Sequence, residues 1–338
     1  MGLLALLVAA GCVGDRGRRG PLWIDRDATA MDSELRMQLE APDRARAVSA
    51  SEAVLSAIGA ADALLSPVRP DSRVSQLNGM AVGELAPIDS VLCTALRDAE
   101  QWAVQVPGAF DLIIGSLIEA WGIEGEGKVP SVVELQAARK AAGPAGMTLD
   151  LDRCIAQRLA AAASLKPWGF VKGYSLRAAR DSLSAHGIHS ARIRFGQQVL
   201  VLGPSEEGGP WRIPIPSPED DEDEVFTLWL ASGSASTSSQ SHRYVKSAGQ
   251  TIGHILDPRT GTPVPGWGSL TVVAEDPLRA DVLSTALFVL GPDSALAWAN
   301  QHPDVGVLIL DRRDGAVRSR WNSGLGPVLD SATATPLR

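Results

Sequence analysis

Segments with helical apolar spacing alternate irregularly with short strand-like runs along this chain, and hairpin turns join several of the strands. That order leaves few fold classes open. Ser51–Leu65 carries Val54, Leu55, Ile58, Ala61, Leu64 and Leu65 on one helical face, and Pro67 and Pro70 end it. Further helices are expected over Ser90–Val104, from the capping box of Ser131 and Glu134 to Gly143, over Lys172–His186 and over Arg279–Leu290. Strands are expected at Ser33–Glu40, Met147–Asp152, Ile155–Ala161, Val225–Leu230 and Ser269–Ala274. One hairpin, His189–Phe195 with Val199–Leu202, turns at Gly196; a second, Val307–Val317, turns at Asp314–Gly315. No dinucleotide fingerprint follows any strand. The pattern predicts an α+β fold, a mixed or antiparallel sheet core with flanking helices, rather than a doubly wound one.

With 338 residues the chain can bury a large core, and its formal net charge of -8 with no basic stripe argues against a nucleic-acid partner. Met1–Gly11 is almost wholly apolar but shorter than the about 20 residues a membrane span needs. It is expected to be a signal segment, residues 1–11. Ala9, Ala10 and Gly11 directly before Cys12 resemble a bacterial lipoprotein cleavage site, which predicts an exported protein of the cell envelope with Cys12 anchored to a membrane. Residues 12–30 then read as a tether, 31–322 as one folded domain and 323–338 as a C-terminal tail. Cys93 and Cys154 have no metal-type spacing, so zinc and thiol chemistry are not expected, and Cys93 reads as a small buried hydrophobe.

Chemistry-bearing residues gather in a few places. Gly253–Gly261 places His254, Asp257, Arg259 and Thr260 around Pro258 between apolar strands, a strand end running into a rigid turn. It can be a reactive corner or simply a well-made turn. Asp281 and Thr285 lie four apart and share one helical face. Both are hard oxygen donors suited to Mg²⁺ beside phosphate, although an Asp in a first turn also suits the helix dipole and a helical Thr can bond backward. Lys172 and Gly173 open a helix whose free N–H groups would favour an anion, with a surface lysine as the plain alternative. Asp71–Gly79 is polar and turn-like, pinned by Val74 and Leu77, and can cap backbone or bind a ligand. The hydroxyl run Ser234–Ser239 lacks the Gly-x-Ser-x-Gly context of a serine hydrolase.

Taken in order, these pieces resemble one family. The stretches Asp71–Asn78, Gly108-Ala109-Phe110-Asp111, Gly169–Tyr174, Thr237-Ser238, His254–Gly261 and Ala280–Leu287 are similar to those of the FAD:protein FMN transferase (ApbE) family. The resemblance implies an α+β protein, often exported, that cleaves FAD with Mg²⁺, moves FMN onto a threonine of an acceptor flavoprotein and releases AMP. It implies that Asn78 contacts the flavin nucleotide and that Phe110, Asp111, Lys172, Thr237 and Arg259 line the same cleft. Asp281, Thr285 and the Val171 carbonyl match the Mg²⁺ ligands. His254 matches the general base toward the acceptor hydroxyl, and Lys172 would add positive charge beside the nucleotide.

The chain also departs from the family pattern, as a divergent member would. Lys166-Pro167-Trp168-Gly169 stands where Asp-Leu-Gly-Gly is usual, and Arg194-Phe195-Gly196-Gln197 replaces Asn-x-Gly-Gly. Ser239 replaces a glycine, and Arg177 an acidic residue. Lost glycines reshape places where backbone approaches a ligand. The alternatives are an FAD-binding lipoprotein without turnover and an FAD pyrophosphatase giving FMN and AMP.

Overall fold

A computed structural model describes residues 21–219, 223–241, 244–247, 249–313 and 316–329. Met1–Gly11, Cys12, His242 and the Asp314–Gly315 turn lie outside them. The central sheet has eight strands in the order β1 (Leu22–Ala30), β2 (Ser33–Ala41), β6 (Ala191–Phe195), β7 (Gln198–Leu202), β10 (Gly233–Ser239), β15 (Gly268–Ala274), β16 (Gly306–Arg313) and β17 (Ala316–Trp321). Every neighbouring pair is antiparallel. A three-stranded sheet, β3 (Leu85–Pro87), β5 (Ile155–Arg158) and β4 (Met147–Asp150), stands apart from it. Three hairpins complete the strands: β8 (Trp211–Pro216) with β9 (Glu224–Leu230), β11 (Tyr244–Ser247) with β12 (Gln250–Gly253), and β13 (Leu256–Asp257) with β14 (Thr262–Pro263). The fold is α+β, as the pattern predicts.

Helices cover one face of the sheet. Leu35, Met37 and Leu39 of β2 and Ile193 and Phe195 of β6 pack against Val54 and Ile58 of α1 (Arg44–Leu65) and Leu176, Ala179 and Leu183 of α7 (Val171–Ala185). The helix α8 (Pro277–Leu290) is apolar nearly all round, the composition of a helix without a solvent face. Leu278 and Val282 enter one core cluster with α3 (Ser90–Ala103), while Ala280, Leu283, Ala286 and Leu287 enter another with β15 and β16. The shorter helices are α2 (Arg73–Asn78), α4 (Gly115–Ala120), which is buried with Ile118 at the cleft, α5 (Val132–Lys140), α6 (Gly143–Gly146) and α9 (Pro292–Asn300).

Several expectations need correction. The tether proposed for residues 12–30 is a strand from Leu22 onward, paired with β2 along its whole length. Its alternation of Ile24, Ala28 and Ala30 toward the helical core with Asp25 and Asp27 outward is that of a half-buried strand. The tail proposed from residue 323 begins with a 3₁₀ turn, Ser323–Val328, whose Leu325 is fully buried, and Leu329 bridges Leu228. The polar segment Asp71–Gly79 is α2, capped by Ser72 Oγ accepting the Ser75 N–H. The hydroxyl run is strand β10. Its Ser234, Ser236 and Ser238 face α8: Ser234 accepts from the Gln198 amide, and Ser236 and Ser238 share the Ser284 hydroxyl, a polar row that hides the usual apolar alternation. β8 escapes notice because Pro214 and Pro216 weaken any strand reading. Cys93 is not a free hydrophobe: it forms a disulfide with Cys154, S–S 2.14 Å, joining α3 to the β4–β5 turn.

Candidate active site

A cleft of about 400 Å³ opens where β10 runs on past β7, and His254, Lys172, Asp281, Thr285, Phe110, Asp111 and Thr237 all line it. Residues as far apart in sequence as Phe110 and Thr285 thus meet in one concavity. The first turn of α7, the middle of α8 and a hairpin corner build it. Val171, Lys172 and Gly173 form the first turn of α7, Asp281 and Thr285 sit on α8, and His254 lies between β12 and β13.

Asp281 is buried at 8% exposure. Its Oδ2 accepts the Gly173 N–H at 2.7 Å, and its Oδ1 accepts the Ser236 hydroxyl at 3.4 Å. Burial pushes its carboxyl up to about 6, although the Gly173 N–H and the Lys172 charge pull it down. Gly173 is required by close approach. A Cβ there would stand 2.5 Å from the Pro277 carbonyl oxygen and 2.7 Å from the Asp281 Cβ. Thr285 makes no side-chain hydrogen bond to another described residue, so its hydroxyl does not bond backward along the helix. Asp111 is half-buried and accepts the Ile113 N–H at 2.8 Å; desolvation raises its pKa and that bond opposes the rise.

The His254 corner is held from behind by Gln240, a residue with no signal in the sequence. Its amide nitrogen donates to the Ile255 and Val264 carbonyls at 2.8 and 2.9 Å, and its oxygen accepts the Ile255 N–H at 3.0 Å. Gly253 makes room for it, since a Cβ there would lie 2.2 Å from the Gln240 amide carbon. Gly261, at φ 74°, closes the turn with its N–H on the Asp257 carbonyl at 2.7 Å.

Three expected site residues stand outside the cleft lining. Asn78 spends both ends of its amide on Leu165, donating to the carbonyl at 3.0 Å and accepting the N–H at 2.7 Å. It positions the strip that leads to Lys166 and Trp168 rather than touching the cavity. Arg259 turns back on Asp257 in a bidentate pair, 2.8 and 2.9 Å, and leaves Pro258 to line the cleft. Val171 packs its side chain into the core, and its carbonyl accepts the Ser175 hydroxyl at 2.7 Å.

The departures from the family pattern have local explanations. Lys166 and Trp168 both line the cleft; Lys166 Nζ lies 5.1 Å from the Trp168 ring centroid and pairs with Glu124 at 2.6 Å. Trp168 also packs against the buried cluster of Leu117, Ile118 and Leu256, so the bulky ring has a bed of its own. Arg177 bridges Asp98, at 2.5 Å, and Asp276, which caps α8, tying three helices together. Gly196, at φ 58°, leaves the space occupied by Lys172, whose Nζ would lie 2.9 Å from a Cβ there.

The chain is similar over most of its length to known proteins. The model of the ApbE family matches residues 31–309. A FAD:protein FMN transferase of Vibrio cholerae is 28% identical over 275 residues, covering 78% of this chain and 80% of that relative. The fold superposes on the ApbE protein of Thermotoga maritima with a TM-score of 0.82 at 27% identity, over 92% of this chain and 100% of that one. The apo flavinyl transferase ApbE of Pseudomonas stutzeri superposes with a TM-score of 0.80 at 27% identity, over 91% and 97% of the two chains. From its second strand to its penultimate one, the chain belongs to the ApbE family.

Proposed function

We infer that this chain is an FAD:protein FMN transferase that moves the FMN part of FAD onto a threonine hydroxyl of an acceptor flavoprotein and releases AMP. The observation that carries the reading is the convergence of Asp281, Thr285, Lys172 and His254 in one cleft. A buried carboxylate with no cation within ion-pair distance among the described residues, beside an uncommitted hydroxyl, is a hard-oxygen donor set that fits Mg²⁺. Asp281 and Thr285 would hold the ion, with the Val171 carbonyl the weaker third donor because Ser175 already uses it. The ion would neutralise charge on the pyrophosphate oxygens. Lys172 adds a cation to the same wall. Phe110 and Trp168 offer aromatic faces for the rings of FAD. His254 would take the proton of the acceptor hydroxyl as it attacks phosphorus, and AMP departs from the other side.

Export to the cell envelope and a lipid anchor on Cys12 belong to the same proposal. The Cys93–Cys154 bridge supports them, because such bonds persist in oxidising compartments. The test is co-expression of the full chain with an exported flavoprotein, followed by flavin fluorescence on a denaturing gel. A fluorescent acceptor band that disappears with Asp281→Ala supports the reading. AMP release with an unlabelled acceptor would indicate FAD hydrolysis instead.

A further inference from the structure

The face of the central sheet turned away from α1, α7 and α8 is divided in two. Its apolar half, with Val201, Ala235, Leu308 and Leu310, is covered by the β8–β9 hairpin. Its other half, on β1, β2 and β6, carries outward Asp25, Asp27, Arg36, Arg192 and Arg194; among the described residues, Trp211 of the hairpin reaches it, against Trp23 and beside Arg192. Between that charged half and the Arg212–Pro216 edge of β8 runs a groove of about 370 Å³. Gly196, Gln197 and Thr237 line both this groove and the FAD cleft, so the two cavities meet at the β6–β7 turn.

Four guanidinium groups, of Arg36, Arg192, Arg194 and Arg212, point to one chemistry. Arg36 and Arg212 are engaged by Glu34 and Glu224 at the surface. Arg192 and Arg194 have no carboxylate partner among the described residues: Arg192 lies over the Trp211 ring at 5.3 Å, and Arg194 donates to the Gly196 carbonyl at 3.2 Å. Asp25 and Asp27 line the same groove, so its charge is mixed; the two guanidinium groups left without a carboxylate lie on β6, with Arg194 bonded to the turn where the groove meets the cleft. Planar guanidinium groups match carboxylates bidentately. Pro214 and Pro216 on the β8 wall have no N–H to offer, so an added β-strand would find an incomplete ladder and recognition falls to side chains.

We propose that this groove seats a carboxylate-bearing segment of the acceptor protein, flanking the hydroxyl that receives the flavin. The proposal rests on the transferase reading and extends it to the choice of acceptor. A segment docked on Arg192 and Arg194 would cross the Gly196–Gln197 turn and deliver its hydroxyl into the cleft.

The test uses the full chain saturated with FAD and two dye-labelled peptides, a threonine flanked by aspartates and the same peptide with asparagines. Fluorescence anisotropy should show the aspartate peptide binding about tenfold tighter, a preference that weakens with salt. Arg194→Glu, at an exposed position, and the double variant Arg192→Gln/Arg194→Gln should abolish the preference while leaving FAD affinity as in the parent. Equal binding of the two peptides, absence of binding, or a preference that survives both variants overturns the proposal. So does competition showing that inorganic phosphate or AMP, and not the peptide, depends on the two arginines. AMP release from FAD by the parent chain is measured alongside, so failure of docking is distinguishable from failure of the transferase reading.

Discussion

Asp281 Oδ2 accepts the Gly173 N–H at 2.7 Å, so a carboxylate on α8 caps the first turn of α7, whose own N-cap residue, Phe170, has no side chain to do so. One group thereby closes a helix end and presents its other oxygen at the cleft. The two duties separate on substitution. Asp281→Asn keeps an oxygen acceptor for Gly173, so at about pH 4, where the parent carboxyl is also neutral in the fold, its thermal stability should stay near that of the parent, while Mg²⁺-dependent turnover at neutral pH is lost. Asp281→Ala should lose turnover and also, at the same low pH, about 1 kcal/mol of stability, the usual worth of a helix cap. Melting curves and AMP assays on both variants check this; full activity in either removes Asp281 from the metal site.

Burial raises Asp281 from 3.8 to about 6. Between those values the unfolded chain ionises this carboxyl and the folded protein does not. Metal-free stability should therefore fall as pH rises from about 4 to about 6, by at most roughly 3 kcal/mol. Mg²⁺ needs the ionised form, so the rise in Tm on adding Mg²⁺ should be small at about pH 4.5 and larger at about pH 7.5. Equal shifts at both pH values would contradict the assignment.

Gly173→Ala should be severe for so small a change. The added Cβ would meet the Pro277 carbonyl oxygen at 2.5 Å and the Leu278 Cα at 2.8 Å, both backbone atoms that cannot swing aside. Overpacking of this kind costs about 1–3 kcal/mol, and it would part α7 from α8 where Asp281 and Lys172 must meet. Denaturant melts together with FAD affinity check the prediction.

The Cys93–Cys154 bridge closes a loop with a sequence separation of 61. By chain-entropy arguments, removing it should cost about 4 kcal/mol. A melt in the presence of reductant, compared with Cys93→Ser/Cys154→Ser, should show both lowered alike, with no effect of reductant on the double variant.

The parts legible in the sequence are those where one residue pattern has one structural outcome. Helical spacing marks α8 and places Asp281 and Thr285 on one face, and the Ser131–Glu134 capping box opens α5. β10 is illegible because its inward positions are serines whose partners, Gln198 and Ser284, lie on distant elements. The disulfide is illegible because pairing depends on folded proximity, 5.6 Å between Cα atoms, rather than on spacing. Motif resemblance brings His254, Lys172, Asp281 and Thr285 into one cleft, but says nothing of Asn78 and Arg259 being spent on Leu165 and Asp257. Gln240 and Arg177 act through contacts far along the chain, which no local pattern reveals.

The stoichiometry of products tests the central claim most directly. Pure chain, FAD, Mg²⁺ and an acceptor flavoprotein should yield one AMP for each flavin covalently bound to the acceptor, with both products lost in His254→Ala and Asp281→Ala. AMP without covalent flavin, or no AMP at saturating FAD, would contradict it.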